Sequence, residues 1–507
     1  MAIAQRPLAH KIASTFAPIN FVSTLLLVAI GVGIGRVLIA ERFGTTLLLV
    51  GALIIVPIAV VVVIRPRLGL LLLFITSLVI IEIKRLAWTM EVGLVVELIE
   101  GLVAIGLAVA IVTRRDLSRL SSPLTTPVLI YVAYQFLIAF HPGLPSTQNV
   151  LYALRDVVNL SVPFFAALYL IRTRRQLHFC LYLWLATAVA LALYGLKQHY
   201  LGLNYWESAW VGISPTHRLY GQVRIFSTLG SADNLGMHMA LSIVLALAAA
   251  FQTRNPWIRY GVLSTVPLFA IADLYTLTRG AYLAVLVGIL ALGVITRKRA
   301  LLLALAIAAA LAIGWYQFNQ GSLLANRVVS MFSPEQDESY AVRQDYLQEF
   351  LPVIMESPFG LGPATSGRQG WVLLEQWAGV NPELLHSMAG IPTDNYYFRI
   401  ALENGWVGFL LFVALLTLAF WAGLRVYLRA RSPGIKWIAA ALLASYAAMA
   451  VSSWSNNYFS QIELKLFFWF SMGILMNLPL IESGEEKPLA ATRPAPRHRW
   501  AGGARQW

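Results

Sequence analysis

Long apolar runs recur along the whole chain, and they limit its possible folds more than any other feature. Each run has about 20 residues, the length of a helix that crosses the hydrocarbon core of a bilayer. Charged residues make up 12% of the 507 residues, about half the share found in soluble proteins. Because a backbone in lipid must satisfy its own hydrogen bonds, these runs predict helices. The sequence therefore predicts an all-α polytopic membrane protein.

The apolar runs define about 14 transmembrane helices, with 12 as the lower limit. The predicted spans are 21–40, 45–64, 68–84, 92–112, 124–140, 157–171, 177–198, 234–251, 260–277, 280–296, 300–318, 405–424, 437–453 and 461–480. Span ends that are read from a sequence carry errors of about 2–4 residues.

Basic residues are concentrated in alternate loops. Together with both termini, these loops hold 24 of the 38 Lys and Arg residues but only four of the 24 acidic residues. Loops rich in Lys and Arg stay in the cytoplasm. We therefore predict that both termini are cytoplasmic, and that the net charge of +14 reflects topology and not a nucleic-acid partner.

The lengths of the loops divide the chain into five regions. The predicted order is a cytoplasmic N-terminus at 1–20, spans 1–11 at 21–318 with an outer loop at about 200–233, a large extracytoplasmic loop at 319–398, spans 12–14 at 399–480, and a cytoplasmic tail at 481–507. The tail is Pro-rich and basic, which predicts disorder.

The large loop contains one clear helix pattern. Ser333 is suited to cap the helix, and Gln336 completes a capping box. Arg343 falls on the same face as the apolar residues that follow it. A buried arginine is costly unless it meets an anion. This helix therefore predicts an anion at Arg343, and Gly360 and Gly362 end the helix pattern.

Two charged residues lie at the hinge between the ninth and tenth spans. Arg279 follows the ninth span at the outer surface, where it could contact lipid headgroups or a substrate between the spans. Asp273 lies six residues earlier, at membrane depth. A carboxylate there is either functional or the structural partner of a nearby arginine.

The stretch TDNYYFRIALENGW also contains an acidic residue that is either structural or functional. It predicts a helix that begins after Thr393 and breaks at Gly405, with Asp394 in its first turn. An aspartate at that position can cap the helix, and the helix N-terminus also keeps it ionised. Asp394 could therefore be a cap, a proton acceptor, or both.

These motifs, in this order, resemble the O-antigen ligase and polymerase family over roughly 222–424. The matching stretches are TLTRGAYL, a large loop with an arginine, PFGLGP, and Asp394-Asn395 followed by Glu403 and Gly405. The family typically has His-Asn, with Glu nine residues and Gly eleven residues after the His. Asp394 replaces that His here, with both spacings kept. The resemblance implies a GT-C-like membrane glycosyltransferase.

The resemblance also implies roles for individual residues. Asp394 would deprotonate the acceptor hydroxyl, as a carboxylate can; His386 is an alternative base outside the spaced motif. Arg279 and Arg343 would bind the leaving diphosphate through their bidentate guanidinium groups. The remaining candidates for substrate binding are Arg224, Asn395 and Glu403.

The implied enzyme transfers or polymerises undecaprenyl-diphosphate-linked repeat units at the outer face of the bacterial inner membrane. We expect an inverting reaction without a cofactor or metal, although the acidic stretch 335–337 could bind one. The expected partners are the lipid-linked donor, a glycan acceptor and the bilayer, with a chain-length regulator protein as a further candidate. Ligation of a finished glycan to lipid A core or protein is one alternative. Transport is another, with Glu97 and Glu100 near Lys84 and Arg85 on the path.

Overall fold

A computed structural model gives the fold of most of the chain. It describes residues 56–86, 94–142, 144, 147–213, 215–219, 221–319, 322–323, 327–328, 348, 351–352, 354–366 and 394–486. Ten of the described helices are long and apolar enough to cross a membrane. One short antiparallel hairpin, β1 (Arg218–Leu219) and β2 (Gln222–Val223), is the only sheet in these ranges. The fold confirms an all-α polytopic membrane protein.

Fourteen α-helices make up this part of the chain. They are α1 (Pro66–Leu86), α2 (Leu94–Arg114), α3 (Thr125–Ile138), α4 (Thr147–Leu170), α5 (Arg174–Tyr200), α6 (Tyr205–Ile213), α7 (Ala232–Gln252), α8 (Pro256–Leu263), α9 (Thr265–Tyr275), α10 (Arg279–Thr296), α11 (Arg299–Phe318), α12 (Tyr396–Arg429), α13 (Pro433–Ser452) and α14 (Ile462–Glu486). Predicted spans 3–14 each coincide with one helix, or with the pair α8 and α9. The first predicted span lies outside the described residues, and the second lies only partly within them.

Two of the predicted spans differ from the helices in an informative way. Helix α4 begins at Thr147, ten residues before the predicted start at 157, because the polar residues in between find partners on other helices. Asp156 pairs with Lys465 of α14 at 2.6 Å. The predicted ninth span is two helices that meet at Ser264, and Pro267 in the first turn of α9 clashes with a continuous helix there.

Helix α7 lies at the centre of the bundle, and 89% of its most apolar window is buried. It packs against α9, α10 and α13. Gly236 lies close to Ala281 of α10, and Val244 lies close to Gly288, so α7 and α10 run parallel in close contact. Small residues allow such close approach between helices in lipid.

One end of the bundle gathers the segments that the sequence singles out; we call it the upper end. Helices α7, α10 and α12 all begin there, after Ser231, Thr278 and Asn395. The amide of Tyr396 donates to the carbonyl of Ser453 at 3.0 Å, which ties the start of α12 to the connection between α13 and α14. The upper end therefore unites residues that are far apart in sequence.

Candidate active site

The turn between α9 and α10 presents Arg279. Leu277 has a φ of 53°, a left-handed conformation that is unfavourable for a leucine. Thr278 is the N-cap residue, and Arg279 follows as the first, half-buried residue of α10. Nε of Arg327 donates to the Leu277 carbonyl at 3.2 Å. The strained turn thus depends on contacts from outside it, as strain at functional sites usually does.

Arg224 holds this turn from the other side. Its Nε donates to the Thr276 carbonyl at 2.9 Å, its Nη2 to Thr278 Oγ1 at 2.7 Å, and its Nη1 to the Thr216 carbonyl at 3.0 Å. Burial above all, with the charges of two nearby arginines, lowers the pKa of His217 in the same loop to about 4, so its ring is neutral near pH 7. This geometry makes Arg224 a support for the turn; its predicted contact with substrate stays a prediction.

The start of α12 corrects one expectation about Asp394. The helix begins at Tyr396, and Asn395 is its cap: Asn395 Oδ1 accepts from the amides of Tyr397 at 3.0 Å and Phe398 at 3.1 Å. Asp394 was expected in the first turn, but it precedes the cap. Asn and Asp cap about equally well, so the sequence alone does not decide which of the two residues caps the helix. Capping therefore does not explain Asp394.

Asp394 lies in a charged cluster at the upper end. Asp233, in the first turn of α7, is within electrostatic range of both Asp394 and Arg224. The fully buried Tyr458 lies within the range of the same groups, and burial first, then these carboxylates, raises its pKa well above the usual value. Asp394 and Arg224 thus both lie within electrostatic range of Asp233 and Tyr458, and Arg224 donates to the turn that carries Arg279.

The connection between α13 and α14 also contributes to the site, which was not predicted from the sequence. A Cβ on Gly280 would meet Asn456, Ser455 and the Tyr458 hydroxyl, so this connection lies directly on the residue after Arg279. The polar stretch SWSNNYFSQ between two apolar spans was its only sequence signal. Asn456 and Tyr458 are therefore additional residues of the site.

Glu403 joins α12 to the end of the large loop. One carboxylate oxygen accepts from Arg399 Nε at 3.1 Å and from the amide of Ser366 at 3.3 Å, and the Ser366 hydroxyl donates to the same oxygen. Its backbone carbonyl accepts from the amide of Gly362 at 3.0 Å. Glu403 therefore anchors residues 357–366, and its predicted role in substrate binding stays a prediction.

The predicted helix break at Gly405 is confirmed. Gly405 has φ 67° and ψ 177° inside α12, a conformation that is almost exclusive to glycine. A Cβ there would overlap the carbonyl of Pro358, and a Cβ on Gly360 would overlap the backbone of Glu403. The amide of Val407, freed by the break, donates to the Pro358 carbonyl at 3.2 Å. The PFGLGP stretch therefore fills the gap in α12.

Among the described residues, the buried Asp273 has no arginine partner of the kind that the structural alternative required. Its Oδ1 has no hydrogen-bond partner among the described residues, and the nearest groups include Gly236 and the Thr276 hydroxyl. That hydroxyl donates to the backbone carbonyl of Asp273 at 2.6 Å.

The carboxylates considered for transport serve contacts between helices. Glu97 pairs with Arg155 of α4 at 2.5 Å, and Glu100 lines a small cavity with Lys465. Arg85 is not on their path as expected: it pairs with Glu82 at 2.8 Å and donates to loop carbonyls at 227 and 229. Arg343, His386 and the acidic stretch 335–337 lie outside the described residues.

Comparison with known proteins agrees with this geometry. The family model described as O-antigen ligase matches residues 263–413. The match includes the turn at Arg279, the large loop, the PFGLGP stretch and the start of α12. A search of curated proteins gives no significant match. Members of this family are membrane glycosyltransferase-like enzymes. Over residues 263–413, the chain is therefore similar to the O-antigen ligase family.

Proposed function

We propose that the protein is a polysaccharide polymerase that joins undecaprenyl-diphosphate-linked repeat units at the outer face of the bacterial inner membrane. The main support is the position of Asp394, a carboxylate that the helix cap does not require, in one cluster with Arg224 and the Arg279 turn. The family match makes glycan transfer the chemistry that such a cluster would perform.

The proposed reaction is a single displacement. Asp394 takes the proton of an acceptor hydroxyl, and the hydroxyl oxygen bonds to the anomeric carbon of the donor glycan. The bond from that carbon to the diphosphate oxygen breaks, and the anomeric configuration inverts. The diphosphate leaves as an anion and needs no general acid, so one base is sufficient.

Arg279 and Arg343 are proposed to bind the leaving diphosphate, since guanidinium groups donate two parallel hydrogen bonds to phosphate oxygens. The N-termini of α7, α10 and α12 meet at the same end of the bundle, and their partial positive charges favour an anion there. Neither a metal nor a cofactor enters the proposed reaction.

A ligase is the second candidate, because the matching family model is described as O-antigen ligase. A ligase would use the same base and the same arginines, but its acceptor would be lipid A core or a protein. The two functions differ in what precedes them: a polymerase consumes single repeat units, whereas a ligase consumes finished chains.

The lipid-linked glycan that accumulates in a deletion strain tests the proposal. We expect single repeat units on undecaprenyl diphosphate, detected by mass spectrometry of extracted lipids, and restoration by the wild-type gene. Accumulation of long lipid-linked chains would establish the ligase instead. Unchanged lipid-linked and surface glycans would contradict both and favour transport of another compound.

A further inference from the structure

A polar cleft lies beside the charged cluster, and the reaction described above does not use it. It is a narrow cavity of about 60 Å³ that opens to the surface, and it lies between α3, α4, α12 and α14. Its lining includes Tyr396 and Phe459, which neighbour the charged cluster in sequence. The cleft therefore opens within a few residues of Asp394 and Tyr458.

The charges in the cleft are balanced. Arg399 Nε lies 3.1 Å from Glu403, and Lys465 Nζ lies 2.6 Å from Asp156. Two cations and two anions leave no net charge to attract a diphosphate. The Asp156 side chain is 52% exposed, so its carboxylate can still accept a hydrogen bond from a ligand. These pairs offer both donors and acceptors, which suits a neutral ligand with many hydroxyl groups.

Aromatic rings and amides complete the lining. The rings of Tyr131 and Trp469 stack with centroids 6.2 Å apart and an angle of 19°. Gln135 Oε1 accepts from Asn404 Nδ2 at 3.4 Å, a long bond that a ligand hydroxyl could replace. Aromatic surfaces with a few placed polar groups are typical of ligand sites, and a sugar offers apolar C–H faces and polar edges to match them.

We infer that this cleft binds a neutral sugar residue of the glycan acceptor and directs its hydroxyl to Asp394. The inference rests on the proposed function and adds a substrate subsite to it. The lining of the neutral cleft includes neither Arg279 nor Arg224, so the groups proposed for the diphosphate and for the acceptor are separate sets of residues. Asp156, Gln135 and Lys465 then become residues that determine acceptor specificity.

Binding of a free oligosaccharide tests the inference without turnover. The probe is the neutral oligosaccharide released by mild acid from the host's lipid-linked repeat unit, titrated into the full-length protein in nanodiscs by calorimetry. We expect Asp156→Asn and Gln135→Leu each to weaken its binding at least tenfold, because the first replaces a charged acceptor oxygen by an NH₂ donor and the second removes the amide. Gln135→Leu leaves both ion pairs intact. Asp116→Asn is the matched control, since Asp116 pairs with Arg119 on a loop far from the cleft, and its affinity should equal the wild type.

A second probe separates acceptor from donor. Undecaprenyl diphosphate without sugar should bind Asp156→Asn as tightly as the wild type, and only the KM for acceptor should rise in transfer assays. The inference would be overturned if both cleft variants bound the oligosaccharide as tightly as the wild type. It would also be overturned if Asp156→Asn lost affinity for undecaprenyl diphosphate and not for the oligosaccharide. Unchanged glycans in the deletion strain would contradict the proposed function itself. Unchanged oligosaccharide affinity in the cleft variants would contradict only the acceptor subsite.

Discussion

Two neighbouring residues at the start of α12 serve different purposes. Asn395 caps the helix, and Asp394 faces the cluster with Asp233 and Arg224. The spacing to Glu403 and Gly405 was visible in the sequence, but the division of tasks was not. Asn and Asp cap about equally well, and the amide of the first helical residue, Tyr396, bonds to Ser453, a residue that is distant in sequence. The contacts of Gly280 with residues 455–458 were hidden for the same reason.

Replacement of Asp394 tests the base directly. Asp394→Asn should fold with wild-type thermal stability, since the cap is Asn395, but glycan transfer should fall by about 10²–10⁴-fold. Asp394→His should keep part of the activity, because His is the residue typical of the family. The assay is transfer from purified lipid-linked donor. Full activity of Asp394→Asn would remove the catalytic role and leave His386 as the next candidate.

Replacement of Arg279 by lysine tests diphosphate binding. Lysine keeps the charge but loses the bidentate geometry, so Arg279→Lys should lose nearly as much transfer as Arg279→Ala. Arg254→Lys, at an exposed site beyond the far end of α7, is the control and should behave as the wild type. Near-normal transfer by Arg279→Lys, at a normal protein level, would reduce Arg279 to a membrane anchor.

At the scale of elements, the decisive feature is the break in α12 and the loop that fills it. Gly405 predicted the break, because glycine tolerates the required conformation. The sequence did not predict that the PFGLGP stretch fills this break. The stretch and α12 are joined by backbone hydrogen bonds, which leave no pattern of side chains in the sequence. The division of the ninth predicted span at Ser264 was missed although Pro267 marked it, because the apolar run continues across the break.

A methyl group at the break should be harmful. Gly405→Ala would need a conformation that costs alanine about 1–3 kcal/mol, and its Cβ would overlap the Pro358 carbonyl. We expect a lower melting temperature in detergent and a loss of transfer. Gly101→Ala in α2 is the control: nothing lies within 4 Å of a Cβ there, and alanine in a helix is favoured by about 0.5–1 kcal/mol. Equal stability of both variants would contradict the docking of the loop.

At the scale of the whole molecule, hydropathy predicts the helices but not their places. Helices α7 and α11 have mean hydropathies of 1.8 and 2.0 in their most apolar windows, yet 89% of the first window and 6% of the second are buried. Both are rich in alanine and leucine, and mean hydropathy does not separate them; only the polar Asn234, His238 and Ser242 within α7 favour an interior place for it. The central place of α7 follows from its contacts with α9, α10 and α13, which only the three-dimensional structure shows.

The orientation of the molecule is a prediction from its charged loops. Cys180 is the only cysteine, so Cys180→Ser gives a background for labelling. In that background, Gly370→Cys should react with an impermeant maleimide in intact cells, whereas Lys298→Cys should react only after lysis. The basic loop at 297–299 makes the second site cytoplasmic by charge. The reverse pattern would invert the topology and place the proposed site on the wrong face.

The loop that fills the break in α12 also limits how the enzyme can open. Three backbone hydrogen bonds hold it: Leu361 to Leu402 at 2.9 Å, Gly362 to Glu403 at 3.0 Å, and Val407 to Pro358 at 3.2 Å. A swing about this segment would break all three hydrogen bonds together. The segment 357–366 is therefore held in a fixed position and does not act as a hinge. A lipid-borne substrate must therefore enter at another edge of the site, and the segment 357–366 is a fixed boundary of that entrance.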